Sequence, residues 1–244
     1  MAVSTASLEA IRQEVIACTR CPRLVEHREG VAQTKKPRYA EWEYWGRPVP
    51  GFGDSRATVF IVGLAPAAHG GNRTGRVFTG DPSASFLMRA LHAAGFANQP
   101  TSEHRNDGLV LHGAYIAAAV RCVPPKDRPT PHEQRACLPY LVRELDLLPN
   151  VKAVLALGRI AFQSCLWTLG ERAGTRVRAE FAHGRRYDFG PLLPTLVASY
   201  HPSPRNTNTG RLTYKALEDV LLAVREVAGI GPLTTQVAGR DGAG

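Results

Sequence analysis

The sequence predicts a single α/β domain, in which a central and mostly parallel sheet is flanked by helices on both faces. Short apolar runs of strand type alternate along the chain with longer segments of helical periodicity, and glycine, proline and polar residues join them. Strands that alternate with helices typically form parallel sheets covered on both sides. We expect the domain to span residues 1–228, and residues 229–244 to form a disordered tail.

Strand-like runs and helical patterns follow one another in a regular order. The predicted strands are Thr58–Val62, Tyr115–Val120, Ala153–Leu157 and Leu196–Ser199. The predicted helices are residues 8–18, capped by Ser7, and then Ser83–Gly95, Pro131–Leu148, Arg159–Leu169 and Leu212–Val227. Thr130 and Glu133 form a capping box, with proline at the first helical position. Residues 22–57 show no clear period and are predicted to be a loop.

Composition and charge restrict the class of protein. The 244 residues are 44% hydrophobic and 21% charged, as in ordinary globular domains. No apolar run is long enough to span a membrane, and the N-terminus lacks the features of a signal peptide, so we expect a cytoplasmic location. The formal charge of +9 favours a polyanionic partner.

Three segments follow predicted strands and are therefore candidates for a ligand site. They are Gly63–Asp81, Arg121–Arg128 and Tyr200–Arg211, each rich in turn residues and polar side chains. Ligands of open α/β sheets bind beyond the carboxyl ends of the strands. Basic residues in these loops are predicted to contact phosphate groups; they are Arg73, Arg76, Lys126, Arg128 and Arg205.

The segment Gly63–Asp81 approaches a phosphate-binding P-loop but departs from it. Arg76 and Val77 stand where that motif requires Lys and Ser or Thr. Phe78, inside a basic glycine-rich loop, is placed to stack on a planar base. Asp81 precedes Pro82, so it either caps the next helix or orients a water molecule, and the sequence leaves both open.

His201 ends another predicted strand, and prolines at 202 and 204 restrict the backbone around it. A ring nitrogen there could hydrogen-bond an oxygen of a ligand, although a surface or core histidine is the simpler alternative. The neighbouring Ser203, Arg205 and Asn206 suit contacts with phosphate.

Four of the five cysteines suggest a metal centre. Cys18 and Cys21 form a C-x2-C pair, and Cys122 and Cys137 are separated by fourteen residues. The spacing alone leaves an iron–sulfur cluster, a zinc site and unliganded thiols open. Arg20, Arg23 and Arg121 could offset the charge of such thiolates. Cys165 lies among apolar residues and is predicted to be a packed thiol.

Taken together, these motifs resemble the uracil-DNA glycosylase superfamily, and most closely its iron–sulfur branch, family 5 (UDGb). The resemblance is carried by GLAPAAHG and RTGRVFTGD within 63–81, HPS at 201–203, the four cysteines, YWGRPVPGFGD at 44–54 and NTNTGRLT at 206–213. It covers about residues 18–227. It implies hydrolysis of the N-glycosidic bond of a damaged base in DNA, and a [4Fe-4S] cluster on Cys18, Cys21, Cys122 and Cys137.

The resemblance also implies roles for individual residues. Phe78 matches the aromatic residue that stacks on the flipped base. His201 matches the histidine that hydrogen-bonds uracil and stabilises the departing base anion. Residues 63–68 match the water-activating motif, so that Gly63 and Ala68 are expected to border the base. Asp81 is then the best available carboxylate to act on the water, and Asp127 is a weaker candidate.

The sequence departs from related branches at two places. Leu64 and Ala65 stand where other branches place Asp, Glu or Asn, and Ala118 stands where family 4 has an asparagine that reads the uracil edge. A base pocket without that polar reader discriminates less between bases. We therefore expect a broad substrate range that includes uracil, hypoxanthine and xanthine.

The leading hypothesis is a monofunctional DNA repair glycosylase that initiates base excision repair as a monomer. The pocket motifs contain no lysine for a Schiff base, so strand cleavage is not expected. Its substrate would be double-stranded DNA, and single-stranded DNA as a further possibility. The alternatives are a non-catalytic iron–sulfur DNA-binding protein of the same fold and a nucleotide or nucleoside hydrolase.

Overall fold

A six-stranded sheet forms the centre of residues 7–231, the part of the chain that the computed structural model describes. Its strands are β1 (Phe52–Gly53), β2 (Val59–Gly63), β3 (Ala114–Ala118), β4 (Ala153–Leu157), β5 (Arg186–Tyr187) and β6 (Thr195–Ser199). They lie in the order β1-β3-β2-β4-β6-β5. The four central strands are parallel, and the two short edge strands pair antiparallel. The predicted fold class is confirmed, and the edge strands are additions to it.

Eight α-helices accompany these strands within residues 7–231. They are α1 (Leu8–Ile16), α2 (Pro22–Thr34), α3 (Gly71–Thr74), α4 (Pro82–Ala93), α5 (Pro131–Asp146), α6 (Arg159–Ala173), α7 (Pro204–Thr207) and α8 (Tyr214–Val227). Short 3-10 turns lie at Pro37–Tyr39 and Pro125–Asp127. Capping side chains fix the starts of the predicted helices. The Ser7 hydroxyl accepts the amide of Ala10 at 3.1 Å, and both hydrogen bonds of the Thr130–Glu133 capping box are present.

The prediction that residues 22–57 form a loop is wrong, because α2 occupies the first part of that segment. Proline follows the capping residue Cys21, which is a favoured helix start. The helix buries only Leu24 and Arg28. Since one of these is charged, the helix shows no apolar period of the kind that identifies an amphipathic helix from sequence.

The end of the chain cannot be compared with its prediction. Residues 232–244 of the expected tail lie outside the described residues, and so do residues 1–6. The boundary at residue 228 therefore stays a prediction. Among the helices of residues 7–231, none combines the length and the apolar character needed to cross a lipid bilayer.

Side chains alternate across the sheet and create two apolar layers. On one face, Val59 and Ile61 of β2 pack with α4 and α8. On the other face, Phe60 and Val62 pack with α5 and α6. The helices that follow the adjacent strands β2 and β4 thus cover opposite faces. This arrangement leaves a crevice beyond the carboxyl ends of those strands, where open α/β sheets bind their ligands.

Candidate active site

A narrow cavity of about 40 Å³ lies at the carboxyl edge of the sheet, and several of the predicted site residues meet there. Its walls are Gly63, Ala65, Ala67, Val77, Phe78, Asp81, Ser83, Ala118 and His201. A larger cavity of about 630 Å³ lies beside Trp167 of α6 and contains none of the predicted site residues. Size alone therefore does not locate the chemistry.

The prediction that Ala68 borders the base differs from the structure by one residue. Ala67, and not Ala68, lines the cavity. The carbonyl of Ala67 accepts the amides of Gly70 at 3.2 Å and Asn72 at 3.0 Å, so the chain turns there. Ala68 lies within that turn instead of on the cavity wall.

The ring of Phe78 is held directly over the end of β2. A Cβ atom built at Gly63 would lie 2.7 Å from Cε2 of Phe78, so glycine is required for this approach. Phe78 itself has a φ of +47°, a left-handed conformation that is costly for an aromatic residue. Its ring stacks on that of His201, with centroids 5.8 Å apart and planes inclined by 29°. The loop thus presents one aromatic face to the cavity.

His201 is held in place by its neighbours, and its surroundings favour the neutral form of the ring. The Asn206 side-chain amide donates to the His201 carbonyl at 2.8 Å. Gly158, with a φ of +95°, lets the chain pass close to the His201 side chain. Burial lowers the pKa of His201 from 6.5 to about 4. At neutral pH its ring therefore has one N–H donor and one acceptor nitrogen.

Asp81 is a helix cap and a cavity wall at the same time. Its Oδ1 accepts the amide of Ala84 at 3.0 Å at the start of α4. A Cβ atom at Gly70 would lie 2.0 Å from Oδ2, so the carboxylate fits against a glycine backbone. Burial raises the pKa of Asp81, and the hydrogen bonds from the backbone oppose that rise. Capping therefore does not remove the carboxylate from the cavity.

The structure corrects the expected role of Arg73 and Arg76 as phosphate ligands. Both are buried, with 4% and 6% of their surface exposed. Arg73 donates to the carbonyls of His69 at 2.7 Å and Gly80 at 2.9 Å. Arg76 makes a buried ion pair with Asp107, with 2.8 Å between Nη2 and Oδ2. Both guanidinium groups are therefore directed into the protein, where they fix the shape of the loop that carries Phe78, although Nη1 of Arg73 has no hydrogen-bond partner within residues 7–231.

The other predicted phosphate ligands lie at the surface near the cavity or in its neighbouring loops. Lys126, Arg128 and Arg205 are exposed, and Ser203 and Asn206 are half-buried. On the far side of His201 a groove of about 350 Å³ is lined by Arg159, Arg205 and Arg211 together with Phe181 and Tyr200. Among the residues that the structure describes, no acidic side chain lines this groove.

The groove shares His201 with the cavity. Sequence reasoning missed Arg159 as a member of this site, and it placed Arg211 in a candidate ligand segment without predicting a phosphate contact for it. A motif cannot show that Arg211 lies over the Tyr200 ring, 4.5 Å from its centroid.

The four predicted cluster cysteines come together where α1, α2, α5 and the loop after β3 meet. Cys21, Cys122 and Cys137 pack in one small apolar cluster with Leu24, and Cys18 packs beside Tyr140. Burial raises the pKa of the Cys122 thiol, and that of Cys137 to about 12. Within residues 7–231, no three His, Cys, Asp or Glu side chains are arranged to hold a single metal ion. Cys165 is buried in the core, as predicted for a packed thiol.

An arginine that was not expected contacts the cysteines in addition to Arg121, which lies beside Cys137 and pairs with Glu144. Arg28 of α2 donates from Nη1 to Sγ of Cys122 at 3.3 Å and to the carbonyl of Cys18 at 3.2 Å. Arg23 instead pairs with Glu133, and Arg20 stacks on Tyr140. The contact between Arg28 and the cysteines could not be predicted from the sequence, because α2 was not recognised as a helix.

Comparison with known proteins agrees with this architecture. The family model of the uracil DNA glycosylase superfamily matches residues 50–225. The chain therefore belongs to the uracil DNA glycosylase superfamily.

Three of its relatives are type-5 uracil-DNA glycosylases. The protein of Thermus thermophilus is 49% identical, over 91% of this chain and 99% of its own length. That of Pyrobaculum aerophilum is 47% identical, over 88% of this chain and 91% of its own length. That of Mycobacterium bovis is 45% identical, over 88% of this chain and 80% of its own length.

Proposed function

We propose that this protein is a uracil-DNA glycosylase that hydrolyses the N-glycosidic bond of uracil in DNA. The observation that carries the proposal is the cavity at the sheet edge, where the Phe78 ring and the neutral His201 ring lie face to face beside the half-buried carboxylate of Asp81. The strong similarity to type-5 uracil-DNA glycosylases over most of the chain supports it.

The base must leave the duplex to reach this cavity, at a cost of a few kcal/mol that is smallest at a mismatch. Phe78 then offers its face to the extruded base. As the glycosidic bond breaks, negative charge develops on the base, and the N–H of neutral His201 stabilises it. A neutral imidazole suits this role because its N–H can donate a hydrogen bond to the developing anion without transferring the proton.

The attacking water needs an acceptor for a hydrogen bond, and Asp81 is the carboxylate that borders the cavity. Its ionised form would orient the water and stabilise the positive charge that develops on the sugar. The backbone carbonyls of residues 64–67 are the alternative acceptors, since the side chains there are apolar.

The walls of the cavity favour a broad choice of deaminated bases, which we propose to include hypoxanthine and xanthine. Ala65, Ala67 and Ala118 present no polar side chain to the edge of the base. A site that makes few specific hydrogen bonds rejects alternative bases weakly. Within residues 7–231 no lysine lines the cavity, so we propose that the reaction proceeds through water and leaves the strand intact.

DNA would lie across the carboxyl edge of the sheet. The arginine-lined groove adjoins His201 and contains no acidic side chain from the described part of the chain, so it suits the phosphates that flank the extruded nucleotide. The exposed Lys126 and Arg128 lie in the loop after β3 and would contact further phosphates. The five cysteines form no disulfide within residues 7–231, which suits the reducing cytoplasmic location that we propose.

The four cysteines fit a [4Fe-4S] cluster better than a single ion. A cubane of four irons is larger than one ion, so its thiolates need not converge on one point. At the cysteines, three buried guanidinium nitrogens have no hydrogen-bond partner within residues 7–231; they are Nε of Arg28 and Nε and Nη1 of Arg121. Donors and positive charge at this place fit a group with four thiolates. Cys18, Cys21, Cys122 and Cys137 would hold the cluster, which would supply a structural cross-link between α1, α2 and α5.

The test is incubation of the purified protein with duplexes that contain one U·G or hypoxanthine·T pair, followed by alkali. We expect strand breaks only after alkali. A control duplex with a T·G pair at the same position should give none. Intact strands on both damaged duplexes would favour a non-catalytic DNA-binding protein instead. Release of uracil from free deoxyuridine would favour a nucleoside hydrolase.

A further inference from the structure

Arg28 stands between the cysteine site and the loop that carries the base cavity. It is 96% buried although it has a charged side chain. Its guanidinium reaches Cys18 and Cys122, which are 10 and 94 residues away along the chain. The partly exposed Glu29 is the carboxylate that pairs with it, at 3.3 Å. Most of the interactions of this buried cation are therefore directed at the cysteine site.

The backbone carbonyl of Arg28 holds the loop that follows β2 and lines the base cavity, here called the catalytic loop (residues 63–81). The side-chain amide of Asn72 donates to the Arg28 carbonyl at 3.1 Å, and Asn72 is completely buried. The backbone of Asn72 bonds to Ala67 and to Gly46 at 3.0 Å each. Ala67 is a wall of the base cavity. A continuous path of short contacts therefore runs from the cysteines through Arg28 and Asn72 to the cavity.

A second contact ties the same two regions together. Ala65 of the cavity wall packs against the apolar cluster that contains Cys122 and Cys137. Ala65 thus lies between the cavity and the cysteine site. A displacement of α2 would therefore change the position of residues 63–68.

We propose that Arg28 is a positioning residue that stabilises the thiolate cluster through its guanidinium and fixes the catalytic loop through its carbonyl and Asn72. A buried N–H donor to a cysteine sulfur stabilises the added negative charge of a reduced cluster and so raises its reduction potential. The role assigned to Arg28 rests on the proposed cluster, whose presence is measured separately.

The first experiment compares Arg28→Gln and Arg28→Lys with the control Glu29→Gln, which changes the exposed partner on the same helix. Iron and sulfide per chain in the anaerobically purified wild-type protein establish the cluster. We expect Arg28→Gln to shift the reduction potential to more negative values and to lose iron to a chelator faster, with Arg28→Lys between it and wild type. Glu29→Gln should match wild type.

The second experiment examines the other end of the path with Asn72→Ala, which leaves the guanidinium in place. We expect wild-type iron content and potential, but about tenfold faster amide exchange in residues 64–75, as for the loss of one buried hydrogen bond. This variant also tests the path if Arg28→Gln fails to fold.

Wild-type protein without iron would refute the cluster itself. Iron-containing Arg28→Gln or Arg28→Lys protein with wild-type potential and chelator resistance would refute the role of Arg28. Unchanged loop exchange in Asn72→Ala would refute the mechanical link. Uracil excision by wild-type protein is measured in parallel, so that failure of the proposed activity is seen independently.

Discussion

Gly63→Ala is the substitution that most sharply tests how the base cavity is built. The added Cβ would lie 2.7 Å from Cε2 and 2.8 Å from Cζ of Phe78. Ordinary contact with a Cβ begins at 3.4 Å, so the ring must withdraw by about 0.7 Å. Phe78 has little freedom to do this, because its backbone is already in the left-handed region and the adjoining Thr79 is completely buried.

The displacement acts on the stacking surface itself. Since the ring of Phe78 lies against His201, a shift of this size alters the position of both groups relative to the base. Misplacement of about 1 Å can reduce the rate of a catalysed step by roughly 10²-fold. Crowding in a packed site costs about 1–3 kcal/mol of stability. We therefore expect the single-turnover rate of uracil release to fall by about 10- to 100-fold, with a modest decrease in Tm.

The assay is rapid-quench measurement of uracil release from a U·G duplex under saturating enzyme. Gly30→Ala is the matched control, because Gly30 lies within α2 and a Cβ there meets nothing within 4 Å. It should keep the wild-type rate and gain up to about 1 kcal/mol of stability. A Gly63→Ala protein that releases uracil at the wild-type rate would refute the assignment of the cavity.

Five further substitutions, at four positions, separate catalysis, folding and DNA binding. Asp81→Asn should retain the helix cap and Tm but slow uracil release, whereas Asp81→Ala should also lose about 1 kcal/mol of stability; equal rates in Asp81→Asn and wild type would exclude Asp81 from the chemistry. The pKa of His201 is lower in the folded state, about 4 against 6.5, so between these values the unfolded chain binds more protons and stability falls as pH falls. Urea unfolding of His201→Gln at pH 5 and pH 7 should therefore show a smaller difference than wild type, and an equal difference would contradict the burial of a neutral ring. Arg76→Gln breaks a buried ion pair and should cost about 3–5 kcal/mol in thermal unfolding. Arg205→Gln should leave Tm unchanged and reduce the salt dependence of DNA binding by about one unit of slope; the reverse pattern would show that Arg76, and not Arg205, contacts DNA.

The sequence was sufficient for the four central strands and for five of the eight helices within residues 7–231, because their signals are local. The strand Ala153–Leu157 and the start of α5 were predicted at their observed positions, since a short apolar run and a capping box are readable from neighbouring residues. The helix α2 was missed because its buried face includes a charged residue. Its packing depends on cysteines more than 90 residues away along the chain.

The residues of the candidate active site were also predictable only in part. Phe78, Asp81 and His201 follow strands or cap a helix, so their meeting at the carboxyl edge was predictable from chain order. The burial of Arg73 and Arg76 was not predictable. From sequence alone, an arginine in a loop is equally consistent with a phosphate ligand and with a side chain that bonds inside the protein. The partners that decide the case for Arg76 include Ser102 and Asp107, which lie outside the motif.

Single-turnover uracil release by wild-type and His201→Ala proteins, measured with binding of each to abasic-site DNA, tests the proposed activity most directly. We expect wild type to release free uracil from a U·G duplex and to leave the strand intact. We expect His201→Ala to bind abasic DNA normally and to release uracil about 10²-fold more slowly, as for the loss of a donor to developing charge. Absence of uracil release by the wild-type protein, or equal rates for the two proteins, would contradict the account.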